Sequence, residues 1–293
     1  MPQAARQRHG TQLVEACGGG VVRTTIRTLI GTIDMTSPDT LLVERPSDDI
    51  VVLRLNRPEV RNALNLDVRK RLSAEVLNYT ADPRARCLII TGSDTVFAAG
   101  ADITEMAEAG PVDVMARNVQ QYWKTIMECP KPVIAAVEGF ALGGGFELAL
   151  CADIIVAGDS AKIGLPEVKL GILAGGGGTQ KLARLVGRQR AMLLLMTGRM
   201  FGAAEALGMG IVGEVAPAGQ ALSRALEVAR EIAAMPPISI LQIKEIVNAG
   251  LNAPLETALM LERKAFQLQF ATRDQKEGMK AFLEKRKPVY EGK

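Results

Sequence analysis

Histidine is almost absent from this chain of 293 residues, which contains only His9. A Ser-His-Asp triad or a Cys-His pair needs a histidine beside the nucleophile, and a histidine-rich metal site needs several. His9 lies in a polar N-terminal segment that we do not expect to join the folded core. If the protein is an enzyme, we therefore expect carboxyl groups to carry most of its proton transfers.

Cysteine, long apolar runs and an excess of charge of one sign are also scarce. The four cysteines are scattered, which favours neither a zinc site nor a redox dithiol but small apolar residues in a reducing compartment. No apolar run approaches the ~18 residues that span a bilayer. The 35 basic and 32 acidic residues give a net charge of +3, which is too small to indicate nucleic-acid binding.

Residues 1–34 differ in composition from the rest of the chain, because they are rich in arginine and poor in acids. They suit a disordered extension, a transit-like peptide, or a start site chosen upstream of Met35. We favour a nonessential extension and leave residues 1–38 out of the fold prediction. We expect a cytoplasmic protein, or one of the mitochondrial matrix if the segment is a transit peptide.

Apolar strand patterns alternate with helical patterns from residue 39 onward. A strand, a helix and a second strand in succession indicate a parallel pair joined by a crossover. After Thr179 the pattern is mostly helical. We predict an α/β core at residues 39–195 and a helical C-terminal region at 196–293. The predicted strands are 50–55, 87–91, 132–137 and 154–157, and the predicted helices include 67–79, 114–127, 146–151, 255–270 and 276–285.

A glycine run at 143–145 leads into an apolar stretch that carries one acid, Glu147. The run is typical of a tight turn, but it also suits a helix N-terminus whose free N–H groups face an anion or a polarised oxygen. Glu147 lies among apolar neighbours, where an acid without a partner is costly. It is either a satisfied structural acid or a catalytic acid with a raised pKa. Glu167 follows in a loop, where a glutamate is usually solvated.

Three further segments admit two interpretations each. The small residues at 97–102 suit a loop that a ligand approaches, or an ordinary structural loop. The four glycines at 175–178 lack the lysine of a phosphate-binding loop, which favours a flexible or close-packed loop. The basic segment 280–287 indicates a solvated helix face, or a contact with phosphate groups.

Taken together, these segments resemble the enoyl-CoA hydratase (crotonase) family. Each motif alone is weak, and it is their order and spacing from about Leu41 to Tyr290 that carry the resemblance. The motifs are Leu55-Asn56-Arg57-Pro58, Asn62-Ala63-Leu64, Phe97-Ala98-Ala99-Gly100-Ala101-Asp102-Ile103, Lys131-Pro132-Val133-Ile134-Ala135-Ala136-Val137, Ala141-Leu142-Gly143-Gly144-Gly145, Glu147-Leu148-Ala149, Pro166-Glu167, Gly177-Gly178-Thr179-Gln180 and Lys276-Glu277-Gly278-Met279.

The resemblance implies an α/β fold built as a spiral of ββα units, with a helical C-terminal region used in trimer formation. It also implies a homotrimer or a homohexamer made of two trimers, an acyl-CoA thioester as ligand, and no metal or separate cofactor. The backbone N–H groups of Ala101 and Gly144 would form an oxyanion hole. The implied CoA contacts are Arg61, Ala63, Ala99, Asp102 and Ile103, with Phe282 and Lys285 reaching the CoA of a neighbouring subunit.

Within this family the acids decide the reaction, and both hydratase positions are glutamate here. We assign Glu147 mainly to water activation and Glu167 mainly to protonation of the substrate. We therefore expect syn addition of water to a trans-2-enoyl-CoA, a lyase reaction used in fatty-acid β-oxidation, aromatic-acid breakdown and amino-acid catabolism. The alternatives are another acyl-CoA enzyme of the same fold, such as an isomerase or a hydrolase, and a noncatalytic RNA-binding relative.

Overall fold

The computed structural model describes residues 39–293 and, from the preceding segment, the backbone of two short paired strands, β1 (Arg27–Thr28) and β2 (Gly31–Thr32). The chain divides into two units, Met1–Pro38 and Asp39–Lys293. Our prediction of a disordered extension at 1–38 lies outside the described residues apart from these two strands. The predicted boundary between residues 195 and 196 stays a prediction.

The second unit contains two sheets. The six-stranded sheet has the order β12 (Glu214–Ala216), β9 (Ile154–Gly158), β7 (Val133–Val137), β5 (Cys87–Thr91), β4 (Ile50–Leu55) and β3 (Leu41–Ser47). The four-stranded sheet has the order β11 (Phe201–Gly202), β10 (Lys162–Gly164), β8 (Phe140–Leu142) and β6 (Val96–Ala98).

The helices are ten in number within the described residues. Those of the first part of the unit are α1 (Leu66–Ala81), α2 (Pro111–Arg117), α3 (Gln120–Met127), α4 (Gly144–Ala149) and α5 (Gly178–Thr197). Those that follow are α6 (Ala203–Gly208), α7 (Ala221–Ala233), α8 (Pro237–Gly250), α9 (Leu255–Gln269) and α10 (Arg273–Leu283). None of the described helices has the length and apolar character needed to cross a bilayer.

Successive units of the chain contribute one strand to each sheet and then a helix. Strands β5, β7 and β9 are parallel neighbours in the large sheet, and β6, β8 and β10 are parallel neighbours in the small one. The order is β7–β8–α4 and then β9–β10–α5, so each ββα unit stacks on the one before it. This arrangement confirms the predicted spiral of ββα units.

The central strands of the large sheet are buried on both faces, which explains their continuous apolar sequences. In β5, Leu88 and Ile90 pack into a core shared with the small sheet, whereas Cys87 and Ile89 pack against α7 on the opposite face. Alternate residues of a strand point to opposite faces, so an unbroken apolar run serves both layers.

One predicted helix is interrupted in the structure, so the prediction of a single helix there was wrong. The segment predicted as one helix over 114–127 forms two helices, α2 and α3, separated at Asn118. Asn118 has a φ of 42°, a left-handed conformation that ends α2 and that asparagine tolerates better than most residues. The predicted helix at 146–151 begins at Gly144, inside the glycine run.

Gly145 allows α4 to lie directly on β6. A Cβ placed on Gly145 would lie 2.2 Å from the Ala98 carbonyl oxygen, which is closer than any real contact. We expect Gly145→Ala to lower the Tm by about 2–12 °C, from about 1–3 kcal/mol of overpacking at 2–4 °C per kcal/mol. Differential scanning calorimetry measures the change.

The matched control is Gly208→Ala at the end of α6, where no atom lies within 4 Å of the added methyl group. It should leave the Tm unchanged or slightly higher, because alanine reduces the freedom of the unfolded chain. Equal Tm values for the Gly145→Ala variant and the wild type would contradict this account of the α4 packing.

Candidate active site

Three loops meet at one edge of the four-stranded sheet. Because β6, β8 and β10 are parallel neighbours, the loops that follow them leave the sheet on the same side. The loop after β6 holds Ala101, the loop after β8 leads into α4 at Gly144, and the loop after β10 holds Glu167. Ala101, Gly144 and Glu167 therefore each follow a strand of the small sheet by two or three positions.

A cavity of about 830 Å³ lies at this edge. It brings together seven of the predicted site residues. These are Ala99, Ala101, Asp102, Ile103, Gly144, Glu147 and Glu167. Within residues 39–293, the other four predicted residues do not line it: Arg61, Ala63, Phe282 and Lys285.

Glu147 is a buried carboxylate on α4, with 4% of its surface exposed. Its Oε1 accepts hydrogen bonds from the backbone N–H groups of Gly176 at 2.7 Å and Gly178 at 2.8 Å. Burial raises the pKa of Glu147, while the two amide donors and the positive charges of Lys181 and Arg69 oppose the rise. The two donors favour the ionised form of the acid and hold it in one orientation.

The glycine loop at 175–178 has a defined role in this site. A Cβ on Gly176 would lie 2.2 Å from Trp123 Nε1 and 2.7 Å from Glu147 Oε2, and one on Gly178 would lie 3.0 Å from Glu147 Oε1. Only glycine lets these amides approach the carboxylate so closely. The sequence favoured a flexible or a close-packed loop at 175–178, and the structure supports the close-packed one.

Glu167 lies across the cavity, in a 3₁₀ turn over Pro166–Leu170. Its Oε2 is buried and has no hydrogen-bond partner among the described residues. Burial raises the pKa of Glu167 to about 7, and the negative charge of Glu147 adds to the rise. Glu167 can therefore hold a proton near neutral pH, whereas its predicted setting was an ordinary solvated loop.

The Ala101 and Gly144 backbones lie in contact. A Cβ on Gly144 would lie 3.3 Å from the Ala101 nitrogen, and one on Gly100 would lie 3.9 Å from the Gly144 nitrogen. Gly144 is the first residue of α4, so its N–H has no acceptor within the helix. Within residues 39–293 neither amide donates to another loop carbonyl or to a side chain. Both N–H groups are therefore available at the cavity wall.

Gly143, between β8 and α4, also touches the second acid. Its φ of 51° lies in the left-handed region, and a Cβ there would lie 3.1 Å from Glu167 Oε1. The glycine run at 143–145 thus starts α4, presents an amide and leaves room for Glu167. Both of its predicted interpretations, a tight turn and a helix N-terminus with free amides, describe part of this arrangement.

The predicted CoA contacts have varied surroundings. Asp102 accepts hydrogen bonds from the Thr104 hydroxyl at 2.7 Å and from Arg57 Nη1 at 3.1 Å, which together hold its pKa below the ordinary value. Phe282 is 84% exposed on α10, and Lys285 follows that helix. Their roles toward CoA stay predictions.

Sequence reasoning missed Arg69 on α1 and Trp123 on α3, both of which line the cavity. The sole tryptophan is 2% exposed, and the Arg69 guanidinium carbon lies 5.5 Å from its ring centroid. Arg69 directly follows Val68, the first residue of the apolar stripe of α1, so the helical pattern alone places it at the edge of the buried face. Because Trp123 is the only tryptophan of the chain, it was the signal in the sequence that could have drawn attention to this wall of the cavity.

The raised pKa of Glu167 predicts a pH-dependent stability difference. Because the folded-state pKa of about 7 lies above the ordinary value of 4.5, the folded protein binds more protons between these pH values, and stability falls as pH rises. Glu167→Gln removes this titration. We expect its Tm relative to the wild type to increase from pH 4.5 to pH 7.5, as measured by calorimetry.

The control for this titration is Glu59→Gln, which changes an exposed carboxyl group outside the cavity. The pH dependence of the Glu167→Gln difference is compared with that of this control over the same range. A Glu167→Gln difference that does not depend on pH would contradict the burial of an acid with a raised pKa at this position.

Comparison with known proteins agrees with this geometry. A family model described as Enoyl-CoA hydratase/isomerase matches residues 45–293. A probable enoyl-CoA hydratase of Mycobacterium bovis is 43% identical over 252 residues, which cover 86% of this chain and 98% of the relative. A probable enoyl-CoA hydratase of Rhizobium meliloti is 44% identical over 254 residues, which cover 87% and 98%. The crystal structure of enoyl-CoA hydratase from Bacillus anthracis superposes with a TM-score of 0.84 at 36% identity, covering 87% of this chain and 100% of the other. These matches confirm the predicted family: the chain belongs to the enoyl-CoA hydratase/isomerase family.

Proposed function

We propose that this protein is an enoyl-CoA hydratase, which adds water to a trans-2-enoyl-CoA to give a 3-hydroxyacyl-CoA. The observation that carries the proposal is the arrangement of Glu147 and Glu167 in one cavity beside the Ala101 and Gly144 amides. The relatives that bear the name enoyl-CoA hydratase support it. Such a step belongs to the β-oxidation type of acyl-CoA degradation.

The two amides would hold the thioester oxygen. When water adds at C3, negative charge develops on that oxygen as an enolate forms. Two N–H donors aimed at it stabilise the transition state, by about 2.7–4 kcal/mol per donor in enzymes where one donor was removed. The contact between the Gly144 and Ala101 segments supports their acting on one oxygen atom.

The two acids would divide the proton transfers. Glu147 accepts two amide hydrogen bonds, which favour the ionised form that can take a proton from water. Glu167 has a pKa of about 7, so it can supply a proton to C2 near neutral pH. Because the acids interact, the pH profile reports the pair rather than either residue alone.

The proton balance of the proposed reaction closes without a further group. The water oxygen forms a bond to C3, its proton passes to Glu147, and the Glu167 proton passes to C2. Glu147 then holds a proton and Glu167 is ionised, so one proton exchanged between them or through solvent restores the starting state. We propose that no metal or separate cofactor takes part, since CoA is part of the substrate.

We propose that the protein assembles as a trimer or as a hexamer of two trimers. The C-terminal helices support this proposal, because α8 has no buried residue and α9 buries only Ala265. Large apolar side chains are exposed on these helices, among them Val247, Leu255, Phe266 and Leu268. An apolar surface of this extent is typical of a subunit interface. In the assembled protein, Phe282 and Lys285 would contact the CoA of a neighbouring subunit.

We propose a reducing location, the cytoplasm, with the mitochondrial matrix as the alternative. The support is that Cys87, Cys129 and Cys151 are free and buried within the described residues. Buried free thiols of this kind are typical of proteins from reducing compartments.

Substitution of either acid tests the chemistry. We expect Glu147→Gln and Glu167→Gln each to lower kcat for crotonyl-CoA by roughly 10²–10⁴, the contribution of a positioned acid or base. Identification of the product by mass spectrometry separates hydration from isomerisation and from thioester hydrolysis. The matched control is Glu138→Gln, which changes a buried glutamate outside the cavity.

The Glu138→Gln variant should keep kcat within a few-fold of the wild type. Near wild-type hydration by either catalytic variant, or a product other than 3-hydroxybutyryl-CoA, would refute the proposed function.

The oligomeric state is tested separately. Phe266 and Leu268 are two residues apart on α9 and point to different sides of it. A double variant, Phe266→Glu with Leu268→Glu, therefore places negative charge on the subunit interface whichever side of α9 forms it. We expect the wild type to be a trimer or hexamer by light scattering after gel filtration, and this double variant to be smaller. The control Val43→Glu changes a half-exposed valine on β3 and should keep the wild-type mass. A monomeric wild type would refute the assembly.

A further inference from the structure

Arg69 is a buried cation in the wall of the active-site cavity. It lies in the first turns of α1, with 9% of its surface exposed. Its guanidinium carbon lies 5.5 Å from the Trp123 ring centroid, and both residues line the cavity. This cation–π contact holds the side chain against the indole, but the ring is no hydrogen-bond acceptor for the guanidinium N–H groups.

The Arg69 guanidinium has no hydrogen bond and no ion pair within residues 39–293. Its Nε is fully buried without an acceptor. Neighbouring arginines differ: Arg57 pairs with Asp102 at 3.1 Å, and Arg117, which also lines the cavity, donates to the Glu105 carbonyl. An unpaired buried charge is costly, and folded proteins normally pair such a group.

The charges around Arg69 do not provide that partner. Among the acids, Glu105 raises the pKa of Arg69 most strongly through its charge. Its carboxylate accepts a hydrogen bond from the Leu66 N–H at 3.1 Å, however, and makes no ion pair with Arg69. Glu147 is held by the glycine-loop amides, and Asp102 is paired with Arg57. Arg117 adds a second positive charge nearby. Burial lowers the pKa of Arg69, and the three acids oppose this.

Trp123 connects Arg69 to the reacting centre. A Cβ on Gly176 would lie 2.2 Å from Trp123 Nε1 and 2.7 Å from Glu147 Oε2, so the indole edge lies beside the catalytic carboxylate. The Arg69 guanidinium lies over the face of the same indole. An acyl chain whose C3 lies at Glu147 therefore needs only a few carbons beyond C3 to pass the indole and reach the guanidinium.

We propose that Arg69 determines substrate specificity by binding a carboxylate at the distal end of the acyl chain, so that the favoured substrate is an enoyl-CoA with an ω-carboxyl group. The hydration of such a substrate rests on the proposed function, whereas the binding of its carboxylate by Arg69 does not. A guanidinium binds a carboxylate through two parallel hydrogen bonds, and such a pair satisfies the buried Arg69. A methyl-terminated chain would cover the cation and leave it unpaired.

Binding of unreactive acyl-CoAs tests this inference without catalysis. Isothermal titration calorimetry compares butyryl-CoA, hexanoyl-CoA and octanoyl-CoA with the acyl-CoAs of the same lengths that end in a carboxylate. At the best length, we expect the wild type to bind the carboxylated ligand about 10- to 100-fold more tightly than its methyl-terminated pair, as charge-assisted hydrogen bonds supply. Arg69→Leu should abolish or reverse the preference, and Arg69→Lys should keep part of it.

The matched control is Lys70→Leu, which removes one positive charge from the same helix at a residue that does not line the cavity. It should keep the wild-type preference. The Tm of the Arg69→Leu variant should equal or exceed that of the wild type, since an apolar residue replaces an unpaired buried charge.

A preference that is absent from the wild type at every length, or one that Arg69→Leu leaves unchanged, overturns the role of Arg69. A marked fall in Tm for Arg69→Leu overturns it too, because the arginine would then be structural. Hydration assays on trans-2-hexenoyl-CoA and its ω-carboxylated counterpart keep the two proposals separate. Hydration of both at equal kcat/KM overturns only the role of Arg69, whereas an Arg69-dependent binding preference without hydration overturns only the proposed reaction.

Discussion

Two hydrogen bonds from the Gly176 and Gly178 amides to the Glu147 carboxylate join the glycine loop to α4 and so fix one wall of the candidate active-site cavity. Helix α4 has six residues, too few to be stable without tertiary packing, and all of them are buried. The carboxylate that this helix buries would be costly alone, and the glycine loop supplies the donors it requires. The wall of the cavity opposite Glu167 is thus formed by the same contacts that satisfy a buried acid.

The same constraint separates the environments of the two acids. Glu147 is held by amide donors, whereas Glu167 has one buried oxygen without a partner among the described residues and a pKa raised to about 7. Pairs of acids whose surroundings differ in this way are able to take different parts in one reaction. In the proposed hydration, the anchored acid removes a proton from water, and the unanchored acid with the raised pKa delivers one. Neither part needs a histidine.

The sequence predicted those parts of the fold that local pattern determines. The strands at 87–91 and 133–137 are buried on both faces, so their apolar runs are continuous and easily recognised. Edge strand β3 was not predicted, because exposed and polar residues and Pro46 interrupt its pattern. The partners of Glu147 lie 29 and 31 residues further along the chain, and only the tertiary fold brings them together. Glu147 was recognised from its apolar neighbours and from the glycine run before it, whereas Glu167 and the Ala101 amide were assigned through family motifs.

The close fit of Gly176 between Trp123 and Glu147 bears on redesign of the acyl pocket. Libraries that randomise the glycine loop would be dominated by unfolded or inactive members, because any side chain at Gly176 collides with both neighbours. The adjoining turn offers a better target for diversification. Leu170, Ile172 and Leu173 line the same cavity, yet each is substantially exposed, with 44–70% of its surface accessible. Engineering of acyl scope is therefore best confined to this short segment, where changes in side-chain size leave Glu147 and its amide donors untouched.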